Sequence, residues 1–282
     1  MGGFLEGQIA LVTGGAQGIG WAIALALADH GAQVHVCDIS EAQLAKAQAE
    51  AAVSPWAAQL HFVVCDVADK EAVEAWVQEV YAGNGRIDIL VNNAVYVRWE
   101  LAQDLSLDDV EKMMQVGYLG MVHAIQAVLP LMQQAGRGHL VNMGSSAGRL
   151  YITPTMAGYC AMKAAVDGYV QILQMELAKS PIHVMLVRPA AVAGTNFFRE
   201  QVSSTRMPRL GDIIPYITPP YVAKAVIRGL RRRKAIVNVP GYLGVLFALF
   251  SLAPRFVRWL MGLGGNARLD YGEASWQYHP RE

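Results

Sequence analysis

The sequence predicts an α/β fold in which a doubly wound parallel sheet carries helices on both faces. Short apolar runs rich in β-branched residues alternate with longer alanine-rich runs between residues 9 and 187. This alternation is typical of a parallel sheet whose strands are buried on both sides. A glycine-rich turn follows the first strand, and no linker, repeat or low-complexity tract interrupts the chain before residue 189. We therefore predict a single domain over 1–240, followed by an apolar C-terminal extension over 241–282.

The predicted strands are short and mostly apolar, without polar alternation. They are Ile9–Thr13, Gln33–Asp38, Leu60–Asp66, Ile87–Val91, Gly138–Met143, His183–Val187 and Ala235–Val239. The predicted helices are longer, and most are rich in alanine and leucine. They are Ile19–His30, Ser40–Ala52 with Ser40 as its N-cap, Asp69–Tyr81, Asp108–Gln134, Ala157–Ala178 and Tyr221–Arg232. Residues 195–220 have scattered prolines and glycines without a period, and this pattern predicts an irregular substrate loop.

Composition and charge argue against several classes of protein. The chain has 23 basic and 23 acidic residues, so its net charge predicts no nucleic-acid partner. Three widely spaced cysteines, Cys37, Cys65 and Cys160, argue against a disulfide scaffold and for a reducing, cytoplasmic compartment. The histidines show no metal-ligand spacing, so no metal site is expected. The first residues lack the basic and apolar regions of a signal peptide, and none is expected.

A possible acid/base device lies in the helix that contains Tyr159 and Lys163. Residues four apart lie on the same face of a helix. A free tyrosine has a pKa of about 10, and we expect the positive charge of Lys163 to lower the pKa of Tyr159. A tyrosine with a lowered pKa can exchange a proton with an alcohol oxygen. Ser146, thirteen residues before the tyrosine, could hold that oxygen, although each residue alone could equally be structural.

The first turn has the pattern of a Rossmann-type dinucleotide site. It follows a strand and opens a helix, and it contains Gly14, Gln17, Gly18, Ile19 and Gly20. Glycines allow positive φ and a close approach of the backbone to a phosphate, and the helix N-terminus offers N–H groups to a pyrophosphate. Such turns also occur for packing alone, but the strand–turn–helix context favours cofactor binding.

Two acidic residues at strand ends bear on the choice of cofactor. Asp38 ends the second strand, where a carboxylate can accept from the adenosine ribose hydroxyls and repel a 2′-phosphate. No Arg or Lys stands at Ala16, Gln17 or Ile39 to receive that phosphate. We therefore predict NAD rather than NADP. The alternative is that Asp38 caps the next helix. Asp66 could meet the adenine edge or cap the following turn, and the sequence leaves both open.

Together these residues resemble the short-chain dehydrogenase/reductase family over about residues 7–195. The family's Thr-Gly-x-x-x-Gly-x-Gly pattern matches Thr13–Gly20. Its Asn-Asn-Ala-Gly pattern matches Asn92-Asn93-Ala94, with Val95 in place of the last glycine. Its catalytic serine falls on Ser146, and its Tyr-x-x-x-Lys pattern falls on Tyr159 and Lys163.

The resemblance implies a role for each matched residue. Tyr159 would be the general acid/base, Lys163 would hold the nicotinamide ribose, and Ser146 would bond the substrate oxygen. The implied lining of the cofactor site, beyond the glycine turn and these residues, is Asp38, Asp66, Val67, Asn92, Ala94, Pro189, Val192 and Thr195. The substrate cleft would be lined by Trp99, Tyr151 and Met156. The resemblance also implies a homodimer or homotetramer.

Three positions depart from the family pattern. Gly117 stands where the family often has an asparagine that supports a water-linked proton relay from the lysine. A glycine within a helix also costs about 1 kcal/mol relative to alanine. We therefore expect Gly117→Asn to leave activity intact or raise it. Val95 is expected to narrow the adenosine side of the site, and Ala190 in place of a glycine makes the turn after Pro189 less permissive.

The excess hydrophobicity of the chain, with a mean hydropathy of +0.26, is concentrated near the C-terminus. An apolar run at 241–253 precedes Pro254 and a second run at 255–263. The first run is shorter than the roughly 20 residues that span a bilayer. The basic cluster at 228–234 favours an interfacial helix on an anionic membrane through 241–263. A helix in an oligomer interface and a lid over an apolar pocket are the alternatives.

The sequence thus predicts an oxidoreductase that transfers a hydride between NAD(H) and a secondary alcohol or ketone. The apolar tail resembles that of family members acting on lipid-like substrates, which favours a bulky lipophilic substrate. It also leaves open a protein that is cytoplasmic but membrane-associated. The alternative is a non-catalytic NAD-binding sensor or scaffold. Ser146, Tyr159 and Lys163 favour the enzyme, and Gly117 is the residue that favours the alternative.

Overall fold

A computed structural model of the chain describes residues 3–193, 207–208, 217–262 and 266–267. Its centre is a parallel sheet of seven strands, which are β1 Ile9–Thr13, β2 Gln33–Asp38, β3 Leu60–Val64, β4 Ile89–Asn92, β5 Gly138–Met143, β6 Ile182–Pro189 and β8 Ile236–Val239. Their order across the sheet is β3-β2-β1-β4-β5-β6-β8. A separate antiparallel pair joins β7 Met207–Pro208 to β9 Asn266–Ala267. The predicted doubly wound parallel sheet is confirmed.

Helices cover both faces of the sheet. They are α1 Gly18–Asp29, α2 Glu41–Ala52, α3 Lys70–Asn84, α4 Leu107–Met114, α5 Gly120–Ala135, α6 Ala157–Glu176, α7 Pro219–Arg231, α8 Leu243–Leu252 and α9 Pro254–Gly262. One buried cluster joins the sheet to α1, α2 and α7, and a second joins its other face to α3, α5 and α6. Two separate cores are what a sheet buried on both sides requires.

The long predicted helix at 108–134 is interrupted. Between α4 and α5, Gln115–Leu119 form a π turn in which the Gly120 N–H bonds Gln115 O, five residues back. The whole stretch, Leu107–Ala135, has the length and apolar composition of a membrane span. In this structure α5 packs against α3, β4 and β5, and it therefore serves as a core helix of the sheet.

The strand order reverses between β1 and β4. In open α/β sheets a ligand crevice forms at such a reversal, outside the carboxyl ends of the strands. Thr13 ends β1 and Asn92 ends β4, so both residues lie at this edge. The fold thus places the glycine-rich turn after β1 and the segment after β4 on either side of one crevice.

The C-terminal extension corrects one expectation. The basic cluster at 228–234 closes α7 and precedes β8, whereas α8 follows the carboxyl end of β8. Arg233 donates to Pro181 O, next to the amino end of β6. The cluster and the apolar helices therefore lie at opposite ends of one strand, although they are close in sequence. The axes of α8 and α9 differ by 119°, so the two helices do not form one straight span.

Candidate active site

The glycine-rich turn requires glycine at three positions, Gly14, Gly18 and Gly20, because of their backbone φ angles or their close neighbours. Gly14 has φ +59° and Gly18 has φ +56°, values that favour glycine because L side chains rarely adopt them. A Cβ added to Gly14 would lie 2.7 Å from the Cα of Ala94. A Cβ added to Gly20 would collide with the carbonyl of Gly14. The turn therefore keeps its backbone open to a ligand.

Asn93 fixes this turn to the segment after β4, a role that the sequence did not reveal. Its Nδ2 donates to Thr13 O at 3.2 Å and to Gly14 O at 2.8 Å. In return, Thr13 Oγ1 accepts from the backbone N–H groups of Asn93 and Ala94, at 3.0 and 3.1 Å. The two walls of the crevice are thus held at a set distance by hydrogen bonds.

The start of α1 suits a phosphate. Gln17 is the N-cap, its side chain makes no capping bond, and the first turn contains no acidic residue. Backbone N–H groups at a helix N-terminus bind anions, and a carboxylate there would compete with them. Gln17 is exposed and Ile19 is half-buried, so both border the crevice.

Asp38 faces the glycine-rich turn. Its Oδ2 accepts from the Ala16 N–H at 3.2 Å, and its Oδ1 accepts from the Ser40 N–H at 3.1 Å. The cap of α2 is Ser40, whose Oγ accepts from the Gln43 N–H. The predicted N-cap at Ser40 is confirmed, and the alternative that Asp38 itself caps this helix is wrong.

Asp66 and Val67, which follow β3, are held by hydrogen bonds within the protein. Asp66 Oδ1 accepts from the Ala68 N–H at 2.9 Å, as in a capped turn. Val67 is buried, and its carbonyl bonds the ring of His123 at 3.1 Å. Asp66 remains half-buried at the crevice edge. Val67 can meet a cofactor only through its backbone, because its side chain packs on Gly120.

Tyr159 and Lys163 lie on α6 and are both buried. Burial raises the pKa of Tyr159 to about 12, and a hydrogen bond from Ser145 opposes that rise. We expected Lys163 to lower the pKa of Tyr159. In the protein without a cofactor this expectation is wrong, because burial raises that pKa instead. Burial also lowers the pKa of Lys163 to about 8. The Lys163 Nζ donates to Met143 O at 2.7 Å, so the lysine is tied to the end of β5.

The serine that contacts the tyrosine is Ser145 and not Ser146. Ser145 is buried and hydrogen-bonds the side chain of Tyr159, while its Oγ also accepts from the Ala147 N–H at 3.1 Å. Ser146 is half-buried and begins the short 3-10 turn Ser146–Gly148. Two adjacent serines stand in the sequence, and counting residues back from the tyrosine could not decide between them.

An aromatic wall borders the tyrosine. The Trp99 and Tyr159 rings lie 6.1 Å apart, and Met156 is the buried N-cap of α6. Tyr151 is half-exposed at the rim, and its ring lies 6.0 Å from that of Phe250 on α8. Arg258 on α9 donates to Tyr151 O at 3.2 Å. The C-terminal helices therefore pack onto the rim of the candidate site.

Gly117 lies in the π turn against α6. A Cβ at this position would lie 2.6 Å from Sδ of Met162, which is fully buried. An asparagine at 117 therefore requires Met162 to move. The expectation that Gly117→Asn is tolerated does not follow from this packing.

The remaining predicted positions lie after β6. Pro189 ends that strand, and Val192 is buried and forms a parallel bridge with Ile217. Thr195 and most of the predicted substrate loop at 195–220 lie outside the described residues. Among the residues that the structure describes, no group of three or more His, Cys, Asp or Glu could hold a metal ion.

Comparisons with known proteins agree with this geometry. A sequence profile described as "short chain dehydrogenase" matches residues 8–206. D-threitol dehydrogenase of Mycolicibacterium smegmatis is 35% identical over 237 residues, which cover 83% of this chain and 90% of that protein. Fatty acyl-CoA reductase of Acinetobacter baylyi is 28% identical over 270 residues, covering 93% of this chain and 85% of that protein.

Solved structures share the fold. A short-chain dehydrogenase/reductase from Burkholderia phymatum in complex with NAD gives a TM-score of 0.77 at 22% identity, covering 90% of this chain and 96% of that one. An alcohol dehydrogenase from Thermococcus sibiricus complexed with 5-hydroxy-NADP gives 0.68 at 25% identity, covering 82% and 94%. The fold is thus shared with proteins whose structures were solved in complex with either dinucleotide.

Proposed function

The chain belongs to the short-chain dehydrogenase/reductase family, and from that premise we propose that it transfers a hydride between NAD(H) and a secondary alcohol or ketone. The observation that carries this proposal is the grouping of Ser145, Tyr159 and Lys163 at the edge of the crevice. A dehydrogenase of this family is an oxidoreductase that uses a nicotinamide dinucleotide. The glycine-rich turn, the start of α1 and Asp38 would hold the dinucleotide.

Each residue contributes a separate function at the reacting oxygen. The bound nicotinamide supplies or accepts the hydride. The hydroxyl of Tyr159 exchanges a proton with the substrate oxygen, and Ser145 holds that oxygen by a hydrogen bond. With a pKa of about 12 the tyrosine keeps its proton at neutral pH, which suits donation to the alkoxide that forms when a ketone is reduced. Oxidation of an alcohol requires the deprotonated tyrosine as the base. Lys163 adds positive charge beside that alkoxide when it is protonated.

Asp38 supports NAD as the preferred cofactor. Its carboxylate lies at the end of β2 and bonds the glycine-rich turn, where an adenosine ribose would lie in this fold. A carboxylate there accepts from two ribose hydroxyls and repels a 2′-phosphate. Neither Ala16 nor Gln17 offers a positive charge to that phosphate.

Apolar surroundings support a bulky lipophilic substrate. Trp99 and Met156 are buried beside the tyrosine, and Tyr151 and Phe250 form the rim. The alignment with the fatty acyl-CoA reductase spans 93% of this chain, so about 20 of the 282 residues lie outside the alignment. The C-terminal extension, 241–282, is longer than this unaligned part. The alignment therefore includes part of the extension.

The extension also supports contact with a lipid surface. Its two helices expose Val245, Leu249, Leu252, Phe256, Trp259 and Leu260. They contain no acidic residue, and Arg255 is exposed among these side chains. Apolar side chains beside cations favour an anionic bilayer, and neither helix is long enough to cross one. We expect the protein to sediment with anionic liposomes and the double variant Leu252→Glu/Trp259→Glu to lose this binding. The control is Val53→Glu, which should still bind, because Val53 is 89% exposed but lies at the end of α2, outside the extension.

The outer face of α4–α6 supports a homo-oligomer. Leu119, Ile172 and Met175 are exposed there beside the edge-on ring pair of Tyr118 and Tyr169. Exposed apolar side chains grouped on neighbouring helices are typical of interfaces between subunits. A change of Ile172→Glu should lower the solution mass measured by light scattering, whereas an unchanged mass would place the interface elsewhere.

Turnover is the test of the proposed function. Purified protein is mixed with NAD and a panel of secondary alcohols of increasing length, and absorbance of the reduced nicotinamide is followed. We expect turnover that rises with the apolar size of the alcohol and is lost in Tyr159→Phe. Tight NAD binding without turnover on any substrate would instead support the non-catalytic sensor or scaffold.

A further inference from the structure

A small cavity lies beside the ammonium group of Lys163. Its volume is about 10 Å³, which is enough for one water molecule. It is lined by Thr13, Asn92, Ala94, Val116, Gly117, Gly120, Met121, Met143 and Lys163. Lys163 is the ionisable residue among these lining residues. The cavity thus lies between the catalytic helix, the π turn and the ends of β1, β4 and β5.

One residue that lines this cavity has an oxygen with unused hydrogen-bonding capacity. Asn92 is 6% exposed, and its Oδ1 is buried without a partner among the described residues. The hydrogen bonds of Asn142 determine that the Oδ1 of Asn92, and not its Nδ2, is the atom without a partner. The Asn142 Nδ2 lies within 3.4 Å of Leu140 O and of Met185 O, so Asn142 presents its Oδ1 to Asn92 Nδ2, at 2.9 Å. Rotating the Asn92 amide would place two acceptors face to face.

A second lining residue, Lys163, is a buried donor. An ammonium group has three N–H donors, and the Lys163 Nζ directs one of them to Met143 O at 2.7 Å. A charge buried without enough acceptors is costly. A buried water is stable where two to four polar partners surround it, and a lysine ammonium and a carboxamide oxygen that line the same cavity supply two.

We propose that one water bridges Lys163 Nζ and Asn92 Oδ1, and that Asn92 is a positioning residue for Lys163. Gly117 contributes no side chain to this cavity, and in this proposal Asn92 provides the acceptor. The bridge orients the Lys163 ammonium so that its charge points toward Tyr159, one helical turn away. The catalytic part of this inference rests on the proposed function, whereas the water site does not.

The bridge has a consequence for proton affinity. A water that accepts from the ammonium and donates to Asn92 Oδ1 favours the charged form of Lys163. On the same helix, Tyr159 and Asp167 lie one turn to either side of this lysine, and Asp167 is paired with Arg188. The walls from β1, β4, β5 and the π turn contribute Thr13, Asn92, Met143 and Gly117, which carry no charge. Loss of the Asn92 oxygen should therefore lower the pKa of Lys163 and move the alkaline limb of kcat to lower pH.

The water site is tested first by an atomic-resolution crystal structure of the wild-type protein. We expect one ordered water at roughly 2.7–3.2 Å from both Lys163 Nζ and Asn92 Oδ1. In Asn92→Ser that water should be lost or bonded to Lys163 without the second partner. A dry cavity, or a water out of reach of Asn92 Oδ1 in the wild-type protein, overturns the proposal even if the enzyme is active.

Kinetics then test the positioning role. Asn92→Ser should lower kcat about tenfold, the value of one charge-assisted hydrogen bond, and shift the alkaline limb of the pH profile. The matched control is Asn238→Ser, which truncates another amide whose Oδ1 is buried without a partner among the described residues. Equal losses in both variants without a pH shift would make Asn92 merely structural. An inactive wild-type protein would count against the proposed function and leave the water site to the crystallographic test.

Discussion

The Asp88 cluster at the amino edge of the sheet and the Asn92–Lys163 cluster at its carboxyl edge differ in how much hydrogen-bonding capacity they leave unused. At the amino edge, the carboxylate of Asp88 accepts from the Ile9 N–H and twice from Arg86, and it pairs with Arg137. At the carboxyl edge, Asn92 Oδ1 has no protein partner among the described residues, and Lys163 is a buried ammonium. Satisfied groups hold the fold, whereas groups with spare capacity can bind a ligand.

The histidines of the amino edge follow the same rule. His139 and His183, on neighbouring strands, hydrogen-bond through their Nδ1 atoms at 3.1 Å, and His183 Nε2 bonds Lys234 O at 3.0 Å. Because Nε2 of His183 must donate to that carbonyl, its Nδ1 accepts and His139 donates. We therefore expect changes at the carboxyl edge to reduce turnover with little effect on stability. Changes at the amino edge should do the reverse.

The largest expected effect is that of Tyr159→Phe. Removal of the proton donor should lower kcat by roughly 10³-fold, while NAD binding and the melting temperature stay near the wild-type values. Absorbance of the reduced nicotinamide, fluorescence titration with NAD and thermal melts give the three readouts. A variant with a large loss of stability instead would break the contrast between the two edges.

The next effect separates the two serines. Ser145→Ala should lower kcat by roughly 10²-fold, because the substrate oxygen loses a preorganised donor. Ser146→Ala, its matched control one residue away, should stay within about threefold of the wild type. Steady-state kinetics on the same alcohol compare them. The opposite ranking would return the role to Ser146, the residue on which the family resemblance places it.

Asp88→Asn tests the amino edge. Loss of the buried carboxylate leaves the Ile9 N–H and Arg86 without their charged acceptor. We expect the free energy of unfolding to fall by about 2 kcal/mol, with kcat unchanged. Urea denaturation followed by circular dichroism measures the loss, and exposed Asp104→Asn serves as the control. A fall in kcat without a loss of stability would contradict the assignment of this edge to structure.

Asp38→Ala sharpens the comparison within the carboxyl edge. We expect kcat/KM for NAD to fall about tenfold, and the preference for NAD over NADP to shrink, because the carboxylate no longer repels a 2′-phosphate. The control, Asp66→Asn in the segment after the neighbouring strand β3, should leave that preference unchanged. Parallel assays with both cofactors measure it. A constant ratio in Asp38→Ala would remove the argument for NAD.

The smallest effect is a dependence of stability on pH. Burial and a neighbouring histidine lower the pKa of His139 to about 4 and that of His35 to about 4. The unfolded chain, with histidine pKa values near 6.5, then binds more protons. Stability is therefore complete above about pH 6.5 and falls as the pH drops toward 4. In His35→Gln/His139→Gln the urea midpoint should change less across that window, and an equal change would exclude these histidines as the cause.

Particular residues show how far the sequence alone predicts the structure. The bounds of β1, β2 and β5 and the cap at Ser40 follow from local patterns, and the structure reproduces them. The ends of β3 and β4 differ by up to two residues from the prediction, since pairing partners decide where a strand stops. The π turn between α4 and α5 was missed, because its composition does not differ from that of a regular helix.

What the sequence determined by itself is the fold, the family and the face of α6 that carries Tyr159 and Lys163, because helical spacing and strand alternation are local properties of the backbone. Only the tertiary structure decided that Ser145 contacts Tyr159, that burial raises the pKa of that tyrosine, and that a strand separates the basic cluster at 228–234 from the apolar helices. Each of these depends on which distant segments meet, and on how much water they exclude. Neither can be obtained from spacing along the chain.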